Sequence, residues 1–394
     1  MKFSDRLLRM KPSATRATAD KAAHLAAEGK RIISFTVGEP DFPSPPAALE
    51  AANTAMREGH TRYTATGGIG ELKKAVAEYY KERHGVSFSG KEICVGAGAK
   101  PLIYEALGVL VNPGDEVIVP VPAWVSYMEQ IDVFDGVVRT VDTTVTDFML
   151  TAEAVEKAVS PRTVALIVNS PHNPTGAVYG REELAKICRL AVKHDFVIIN
   201  DEVYERMTYG VRHVNPLADV PEARGRLLSV NGASKAYAMT GWRIGFALGP
   251  EALIARLGTL QGHITSSACS VSQWAVAGAI RNAQNDVERM VAEYARRMEF
   301  VYAELAAMPH IKVIRPQGAF YFFLDLRASY GKKAGDVLIG DDQSFCAALL
   351  DYGVALVPGA AFAMPGFARL SYACSMDSLR EGLSLMREFL SGLS

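Results

Sequence analysis

The sequence predicts an α/β protein whose core is a mostly parallel β-sheet with helices on both faces, followed by a smaller α+β region. Between residues 92 and 234, apolar runs of roughly 5–7 residues alternate with helix-like segments, the pattern of strands buried on both faces. From about residue 285 a long amphipathic segment ends this alternation. Parallel sheets of this kind bind ligands at the carboxyl ends of their strands. We therefore expect the functional residues at that edge.

The individual elements follow from the same patterns. In the first region the strands are predicted over 92–98, 116–122, 163–171, 196–204 and 226–234, and the helices over 101–111 and 181–195. In the later region we predict a long helix over 285–305, a strand over 318–326 and a polar surface insertion over 328–343. A second helix over 342–353 and two short strands over 354–359 and 368–374 follow. We expect a large domain over 46–285 and a small domain formed by 1–45 together with 286–394.

Composition narrows the function classes. The chain has 394 residues, a net charge of −1 and no basic block, which argues against nucleic-acid or membrane-surface partners and favours small-molecule substrates. Its five cysteines are widely spaced and contain no CxxC pair, so we expect neither a disulfide framework nor a metal site. We expect no secretory signal, because the N-terminal segment is charged and lacks a continuous apolar stretch, and no membrane span, because no apolar run reaches the ~20 residues that it needs. The expected location is the cytoplasm.

Lys235 lies directly after a predicted strand, in SVNGASKAYAMTGWRIGFALG (229–249). Its neighbours Ala233, Ala236 and Met239 are small or apolar, which argues against the solvent-exposed position that most lysines occupy. A desolvated lysine has a lowered pKa and can serve as an amine nucleophile and base. Arg243 can form an ordinary salt bridge or, beside Lys235, hold a phosphate through two parallel donors.

Two other strand ends carry polar residues. Asp201, in NDEVY (200–204), can cap a helix or serve as the carboxylate partner of a protonated pyridine nitrogen. Tyr204, three residues on, can hydrogen-bond a ring hydroxyl. Asn173, in NSPHNPTG (169–176), can belong to a simple turn or donate to a ring oxygen.

A loop of small residues, VGAGAKPL (95–102), opens onto a predicted helix. The backbone N–H groups of Gly98, Ala99 and Lys100 can cradle a phosphate at that helix N-terminus. Arg369 follows a loop rich in proline and glycine, where its planar fork suits a carboxylate. Trp124 can stack on an aromatic cofactor or fill the core.

These segments together supply a lysine for a Schiff base, a carboxylate, ring-oxygen donors, a phosphate cradle and two arginines. Pyridoxal 5′-phosphate chemistry needs this set of groups. The sequence therefore predicts pyridoxal phosphate as the cofactor.

The chain resembles the class I aminotransferases of fold type I, in particular the bacterial aspartate and aspartate/prephenate subgroup. The resemblance runs almost end to end and rests on MKPSAT, VGEPDF, TRYTATGGIGEL, NPGDEVIVPVPAWVSY, NSPHNPTG, SKAYAMTGWRIG, GAFY and RLSYA, which begin at residues 10, 37, 61, 112, 169, 234, 318 and 369. It implies a seven-stranded sheet in the large domain, a smaller α+β domain, and a homodimer with shared active sites.

The resemblance also implies individual roles. Lys235 would form the Schiff base and move the substrate proton, with Asp201 and Tyr204 as the other catalytic residues. The implied cofactor-binding residues are Gly98, Ala99, Lys100, Trp124, Asn173, Asp201, Tyr204, Lys235, Arg243 and the partner subunit's Tyr63. The implied substrate-binding residues are Gly38, Trp124, Asn173, Arg369, Lys100 and Ser13.

The implied reaction moves an amino group between L-aspartate, or a related amino acid, and 2-oxoglutarate by a ping-pong mechanism. Lys100 and Ser13 favour a substrate with a side-chain carboxylate. The chain departs from the commoner pattern at His172, which we expect to be an exposed neutral substitution, and at His263, Ser267 and Cys269 near the substrate mouth. These departures leave the preferred substrate open, with prephenate and aromatic amino acids as alternatives.

Two rival functions use the same scaffold. A lyase, oxidase or cyclase would need the same cofactor residues, so the sequence leaves this alternative open. A cofactor-sensing transcription regulator would need a basic DNA-binding segment ahead of the fold. We expect no such segment, because the MKPSAT block already begins at residue 10.

Overall fold

The computed structural model of the protein describes residues 1–10, 12 and 14–394. The α-helices of this part of the chain are α1 (Asp5–Arg9), α2 (Ala14–Ala27), α3 (Pro46–Arg57), α4 (Gly70–His84), α5 (Ala99–Leu110), α6 (Ser126–Val133), α7 (Ala152–Ala158), α8 (Arg181–His194), α9 (Ala233–Ala236), α10 (Glu251–Ile264), α11 (Ser270–Asn282), α12 (Gln284–Ala306), α13 (Asp342–Asp351) and α14 (Met376–Ser391).

The strands of the same residues are β1 (Ile33–Ser34), β2 (Ile93–Gly96), β3 (Glu116–Val121), β4 (Val137–Asp142), β5 (Thr163–Asn169), β6 (Val197–Asp201), β7 (Leu227–Gly232), β8 (Gly245–Leu248), β9 (Lys312–Val313), β10 (Tyr321–Asp325), β11 (Lys333–Ala334), β12 (Val337–Leu338), β13 (Val354–Ala355), β14 (Val357–Pro358) and β15 (Phe367–Ser371).

The largest sheet formed by the described residues has seven strands in the order β2-β8-β7-β6-β5-β3-β4. The five strands from β7 to β4 run parallel, whereas β8 is antiparallel to both β7 and β2. The predicted α/β class and mostly parallel sheet are therefore confirmed. The predicted strands that correspond to β2, β3, β5, β6 and β7 are all present.

Two strands of this sheet were not predicted. In β4, at the edge of the sheet, only Val141 is buried, so the strand lacks the continuous apolar run that marks its neighbours. The four residues of β8 follow the Lys235 motif closely, and the prediction treated them as part of that motif. Both strands were missed because the expectation relied on long apolar runs.

Helices cover both faces of the sheet because successive strand residues point to opposite sides. Val117 and Val119 of β3 pack with α5 and α10, whereas Ile118 packs with residues of α4, α8 and α11. The covering helices are amphipathic. In α8, for example, the residues that face the core recur at the helical spacing of three and four residues. They are Leu184, Ile187, Cys188 and Ala191.

A second, antiparallel sheet has the order β14-β15-β10-β9 and packs with α12, α13 and α14. The predicted long helix is confirmed as α12, and the polar insertion forms the hairpin β11–β12. β1 pairs in parallel with β13, which joins the N-terminal segment to the C-terminal region. The domain boundaries at 45/46 and 285/286 stay a prediction, and the second falls inside α12.

None of the helices in the described ranges is long and apolar enough to cross a membrane.

Candidate active site

A cleft of about 660 Å³ opens at the carboxyl ends of β5, β6 and β7. The last residues of these strands, Asn169, Asp201 and Gly232, all line it. The cleft brings together most of the predicted site residues, which come from segments far apart in the chain. They are Gly38, Ala99, Lys100, Trp124, Asn173, Asp201, Tyr204, Lys235, Arg243 and Arg369.

Lys235 lies in α9, the short helix that directly follows β7. Its Nζ donates a hydrogen bond to the backbone carbonyl of Gly38. Burial lowers the pKa of Lys235 to about 8, and the positive charges of Arg369 and Arg243 act in the same direction against the opposing charge of Glu39. An amine with this pKa is partly neutral near neutral pH, so it can act as a nucleophile or base.

Asp201 ends β6 and is buried. Tyr127 Oη donates to its Oδ2 at 2.6 Å, and the backbone N–H of Val203 donates to Oδ1 at 3.3 Å. Burial raises the pKa of Asp201 to about 6, even though these two hydrogen bonds lower it. Because a carboxylate offers about four lone-pair directions, Asp201 retains the capacity to accept from a further N–H donor in the cleft.

Arg369 lies in β15 and is buried with its guanidinium in the cleft. Nη1 donates to Asn173 Oδ1 at 3.1 Å and Nη2 to the Thr36 carbonyl at 2.8 Å. Nε is buried and has no hydrogen-bond partner among the described residues. An unsatisfied buried donor is costly in a native structure, so this nitrogen indicates a place for an acceptor from a ligand.

The rings around Arg369 connect it to Tyr204. The Arg369 guanidinium lies 4.4 Å from the centroid of the Tyr321 ring. The hydroxyl of Tyr321 is 2.8 Å from the hydroxyl of Tyr204, and both side chains are buried. Tyr321 therefore contacts two predicted site residues at once.

The predicted phosphate cradle lies at the N-terminus of α5. Gly98 is its N-cap residue, with a φ of 108° that favours glycine. A side chain at this position would place its Cβ 2.4 Å from Arg243 Nη2. The Gly98 N–H donates to the Gly96 carbonyl at 2.8 Å, so the available backbone donors of this helix N-terminus are those of Ala99 and Lys100. Together with the Arg243 guanidinium and the space that a Cβ would fill, they suit a phosphate group.

Lys100 follows the cradle and turns toward Trp124. Its Nζ lies 4.7 Å from the centroid of the Trp124 ring, a cation–π contact. Burial and, secondarily, the charge of Arg243 lower the pKa of Lys100. Its ammonium group is thus held at the cleft beside a broad aromatic face.

Three sequence expectations have other outcomes. Tyr63 is 91% exposed and does not line this chain's cleft, and Ser13 lies outside the described residues. The expectation that His172 is exposed is wrong. His172 is buried, its Nδ1 is 2.7 Å from Thr175 Oγ1, and burial lowers its pKa to about 3, so the ring is neutral.

Comparison with known proteins identifies the family. Residues 30–384 match the family described as aminotransferase class I and II. This chain belongs to the class I and II aminotransferases. It is 40% identical over 393 residues to an aspartate aminotransferase from Geobacillus stearothermophilus, covering 99% of both chains. It is 41% identical over 397 residues to an aspartate/prephenate aminotransferase from Cereibacter sphaeroides, covering 100% of this chain and 99% of that one.

The fold agrees with the same family. The structure of an aspartate aminotransferase from Thermus thermophilus with maleate superimposes with a TM-score of 0.93 at 40% sequence identity, over 99% of this chain and 100% of that one. The predicted fold type I is therefore confirmed for this aminotransferase.

The sequence missed two tyrosines of the aminotransferase cleft, Tyr127 and Tyr321. Both lie in blocks that carry the family resemblance, NPGDEVIVPVPAWVSY for Tyr127 and GAFY for Tyr321. The signals that could have identified them were the nearby Trp124 for Tyr127 and the predicted strand for Tyr321. A buried tyrosine in such a position is usually part of the core, and only the contacts with Asp201 and Tyr204 distinguish these two.

Proposed function

We propose that this aminotransferase uses pyridoxal phosphate to move the amino group of L-aspartate, or a related amino acid, to 2-oxoglutarate. The observation that carries the proposal is the unsatisfied Nε of Arg369, which lines the same cleft as the amine of Lys235 and the carboxylate of Asp201. A cleft with a carboxylate receptor, a base and a buried acid suits proton transfer at an amino-acid Cα.

The residues present fit the cofactor. Gly98, Ala99 and Arg243 would hold its phosphate, and Asp201 would accept a hydrogen bond from its ring nitrogen. Asn173 Oδ1 accepts a hydrogen bond from Arg369, so the amide N–H groups of Asn173 remain available. These groups and the Tyr204 hydroxyl would donate to the ring oxygen of the cofactor. When bound, pyridoxal phosphate supplies an aldehyde for the amino group and a ring that withdraws electrons from the substrate Cα.

Lys235 would act as the nucleophile and the base. Its lowered pKa keeps part of the amine neutral, so it can take a proton from the substrate Cα and return it. The carbonyl of Gly38 accepts a hydrogen bond from Nζ and thereby orients the amine.

Arg369 would fix the substrate. Its Nε has no other acceptor among the described residues, and Nη1 and Nη2 are held by Asn173 and Thr36, so the planar fork is oriented before substrate arrives. A carboxylate bound to this fork is held at two points. Fixing the orientation of the reacting bond raises the rate, because the entropy of positioning is already lost on binding and no longer adds to the barrier of the chemical step.

Lys100 supports the choice of a dicarboxylic substrate. Its ammonium group lines the cleft beside Trp124 and provides a positive charge for a side-chain carboxylate. The relatives named as aspartate aminotransferases and the neighbour with maleate agree with this choice. Prephenate is the second candidate acceptor, because the Cereibacter relative is an aspartate/prephenate aminotransferase.

The active enzyme would be a homodimer. Tyr63 is almost fully exposed although it is a large aromatic residue. In the proposed dimer the partner subunit's Tyr63 reaches the phosphate cradle, so the two sites share residues.

The test is a half-reaction on the reconstituted enzyme. Adding L-aspartate without an acceptor should convert the bound cofactor from its pyridoxal to its pyridoxamine form, seen as a change in absorbance, and 2-oxoglutarate should reverse it. A panel with aromatic amino acids as donors and prephenate as acceptor ranks the substrates. Absence of conversion with every amino acid would contradict transamination and favour a lyase, oxidase or cyclase.

A further inference from the structure

A second cavity of about 420 Å³ lies between the C-terminal ends of α4 and α11, the first residue of α12 and the loop that follows β6. Within the described residues it shares no lining residue with the cleft that contains Lys235. Four arginines line it: Arg83, Arg206, Arg212 and Arg281. None of these arginines has a role in the proposed transamination.

Arg206 is the innermost of the four and only 7% exposed. Its Nη1 donates to Oε1 of Gln284, a neutral acceptor. In the part of the chain that the structure describes, no hydrogen bond is formed by its Nε or Nη2 and no carboxylate lies within ion-pair distance. Burying a guanidinium without an opposing charge is costly, and its remaining donors face the cavity.

Arg212 and Arg281 likewise use neutral acceptors. Arg212 Nη2 donates to the Arg83 carbonyl at 2.6 Å, and Arg281 Nη2 donates to the Glu71 carbonyl at 3.1 Å. Neither forms an ion pair with a carboxylate among residues 1–10, 12 and 14–394. Backbone carbonyls orient these two side chains without neutralising them.

The carboxylates nearby do not balance these charges. Glu205 is already paired with Arg83 at 2.9 Å. Glu78 lies 3.9 Å from Lys74, which leaves Glu82 as the remaining carboxylate of the cavity lining. Three unpaired guanidinium groups thus face one unpaired carboxylate, and the cavity keeps a surplus of positive charge.

We propose that this cavity binds a phosphoryl dianion, either free phosphate or the phosphate group of a small molecule. Guanidinium groups that reach a cavity from different segments, here the loop after β6 and helix α11, can each donate to a different oxygen of a tetrahedral anion. A carboxylate ligand would carry one charge and two oxygens, whereas a phosphoryl group matches the charge surplus and the number of donors. The bound anion supplies the opposing charge that Arg206 lacks.

The experiment is a calorimetric titration of the protein saturated with pyridoxal phosphate, so that the cradle at Gly98 is filled. Inorganic phosphate and glycerol 3-phosphate are titrated separately, with chloride at the same ionic strength as the reference anion. We expect saturable binding of one phosphoryl ligand per chain. Tighter binding of the ester identifies a phosphorylated small molecule as the ligand, and equal or tighter binding of phosphate identifies the free ion.

Variants assign the binding to the cavity. Arg206→Gln and Arg281→Gln should each raise the dissociation constant at least ten-fold. The control is Arg189→Gln, at an exposed position of α8 outside the cavity, which should leave the dissociation constant unchanged. Should Arg206→Gln fail to fold, as circular dichroism would show, the exposed Arg281 decides the matter. The proposal is overturned when neither ligand binds saturably, or when the affinity of a folded cavity variant equals that of the unaltered protein.

Discussion

Asp201 and Glu202 are consecutive buried carboxylates at the end of β6, and they point into different surroundings. Asp201 faces the cleft, accepts two hydrogen bonds, and burial raises its pKa to about 6. Glu202 faces the interior. Burial alone would raise its pKa too, but the interactions with His213, His84 and Tyr80 together outweigh burial and hold the pKa of Glu202 below its usual value.

The difference lies in the number of donors. Glu202 accepts from Tyr80 Oη at 2.5 Å, Asn200 Nδ2 at 2.9 Å, His213 Nε2 at 3.0 Å and Asn215 Nδ2 at 3.4 Å. These donors use the acceptor capacity of the carboxylate. Asp201 keeps part of its capacity unused. Glu202, whose acceptor capacity is filled by protein donors, stabilises the fold, whereas Asp201 is available to a ligand.

The largest effect expected from changing either of these two carboxylates is on catalysis. Asp201→Asn keeps the shape of the side chain but removes the charge that would hold a protonated ring nitrogen. We expect kcat/KM for transamination to fall about 10²- to 10³-fold, the size typical of losing one electrostatic partner. Steady-state kinetics on the reconstituted protein measure this. Asp377→Asn, on the exposed face of α14, is the matched control and should change nothing. An Asp201→Asn variant with kcat/KM unaltered would remove Asp201 from the mechanism.

The second effect is on stability and has opposite signs at the two positions. Because the folded pKa of Asp201 is raised from 3.8 to about 6, this residue costs stability progressively as the pH rises between these two values. The lowered pKa of Glu202 means that its ionisation favours folding above its unfolded pKa and that this contribution is lost as the pH falls through its folded pKa. At pH 7, without cofactor, we expect Asp201→Asn to raise the free energy of unfolding by about 1–3 kcal/mol. Glu202→Gln should lower it by about 3 kcal/mol.

Denaturant unfolding of both variants at pH 7 and pH 4 checks these signs. The benefit of Asp201→Asn should shrink at pH 4, because Asp201 is then largely protonated in the folded protein. Effects of the same sign at pH 7 would contradict the division between the two carboxylates.

The smallest expected effects are those of two substitutions at Tyr321, which distinguish its contact with Arg369 from its contact with Tyr204. Tyr321→Phe keeps the ring beside Arg369 but loses the hydroxyl that meets Tyr204, so kcat should fall about 3- to 10-fold with KM unchanged. Tyr321→Leu also loses the ring, so KM for the amino acid should rise about 2- to 10-fold. Tyr352→Phe, at a half-exposed surface position, is the control. Equal KM values for the two Tyr321 variants would show that the ring does not position Arg369.

The sequence could locate the groups that follow parallel strands. Asp201 and Lys235 were found because a polar residue directly after an apolar run must lie at the ligand-binding edge of the sheet. Asn173 was found in the same way after β5, whereas Arg369 was singled out because it follows a loop rich in proline and glycine. The structure brings all four to one cleft. Their chemical roles stay predictions.

Groups that depend on contacts between distant segments could not be found in this way. Tyr127 reaches Asp201 across 74 residues, and Tyr321 reaches Tyr204 across 117. The cavity around Arg206 is assembled from three separate stretches of chain, none of which has a basic motif. Edge strand β4 was missed because its residues are mostly exposed.

The central claim is that Lys235 moves the proton in the reaction of this cleft. The most direct measurement is the rate of amino transfer from L-aspartate to 2-oxoglutarate by purified, reconstituted Lys235→Ala, compared with Lys332→Ala in the surface insertion. We predict that Lys235→Ala loses at least about 10²- to 10⁴-fold in kcat, the contribution typical of a positioned base, while Lys332→Ala keeps full activity. A folded Lys235→Ala variant with the full rate of transamination would contradict the account.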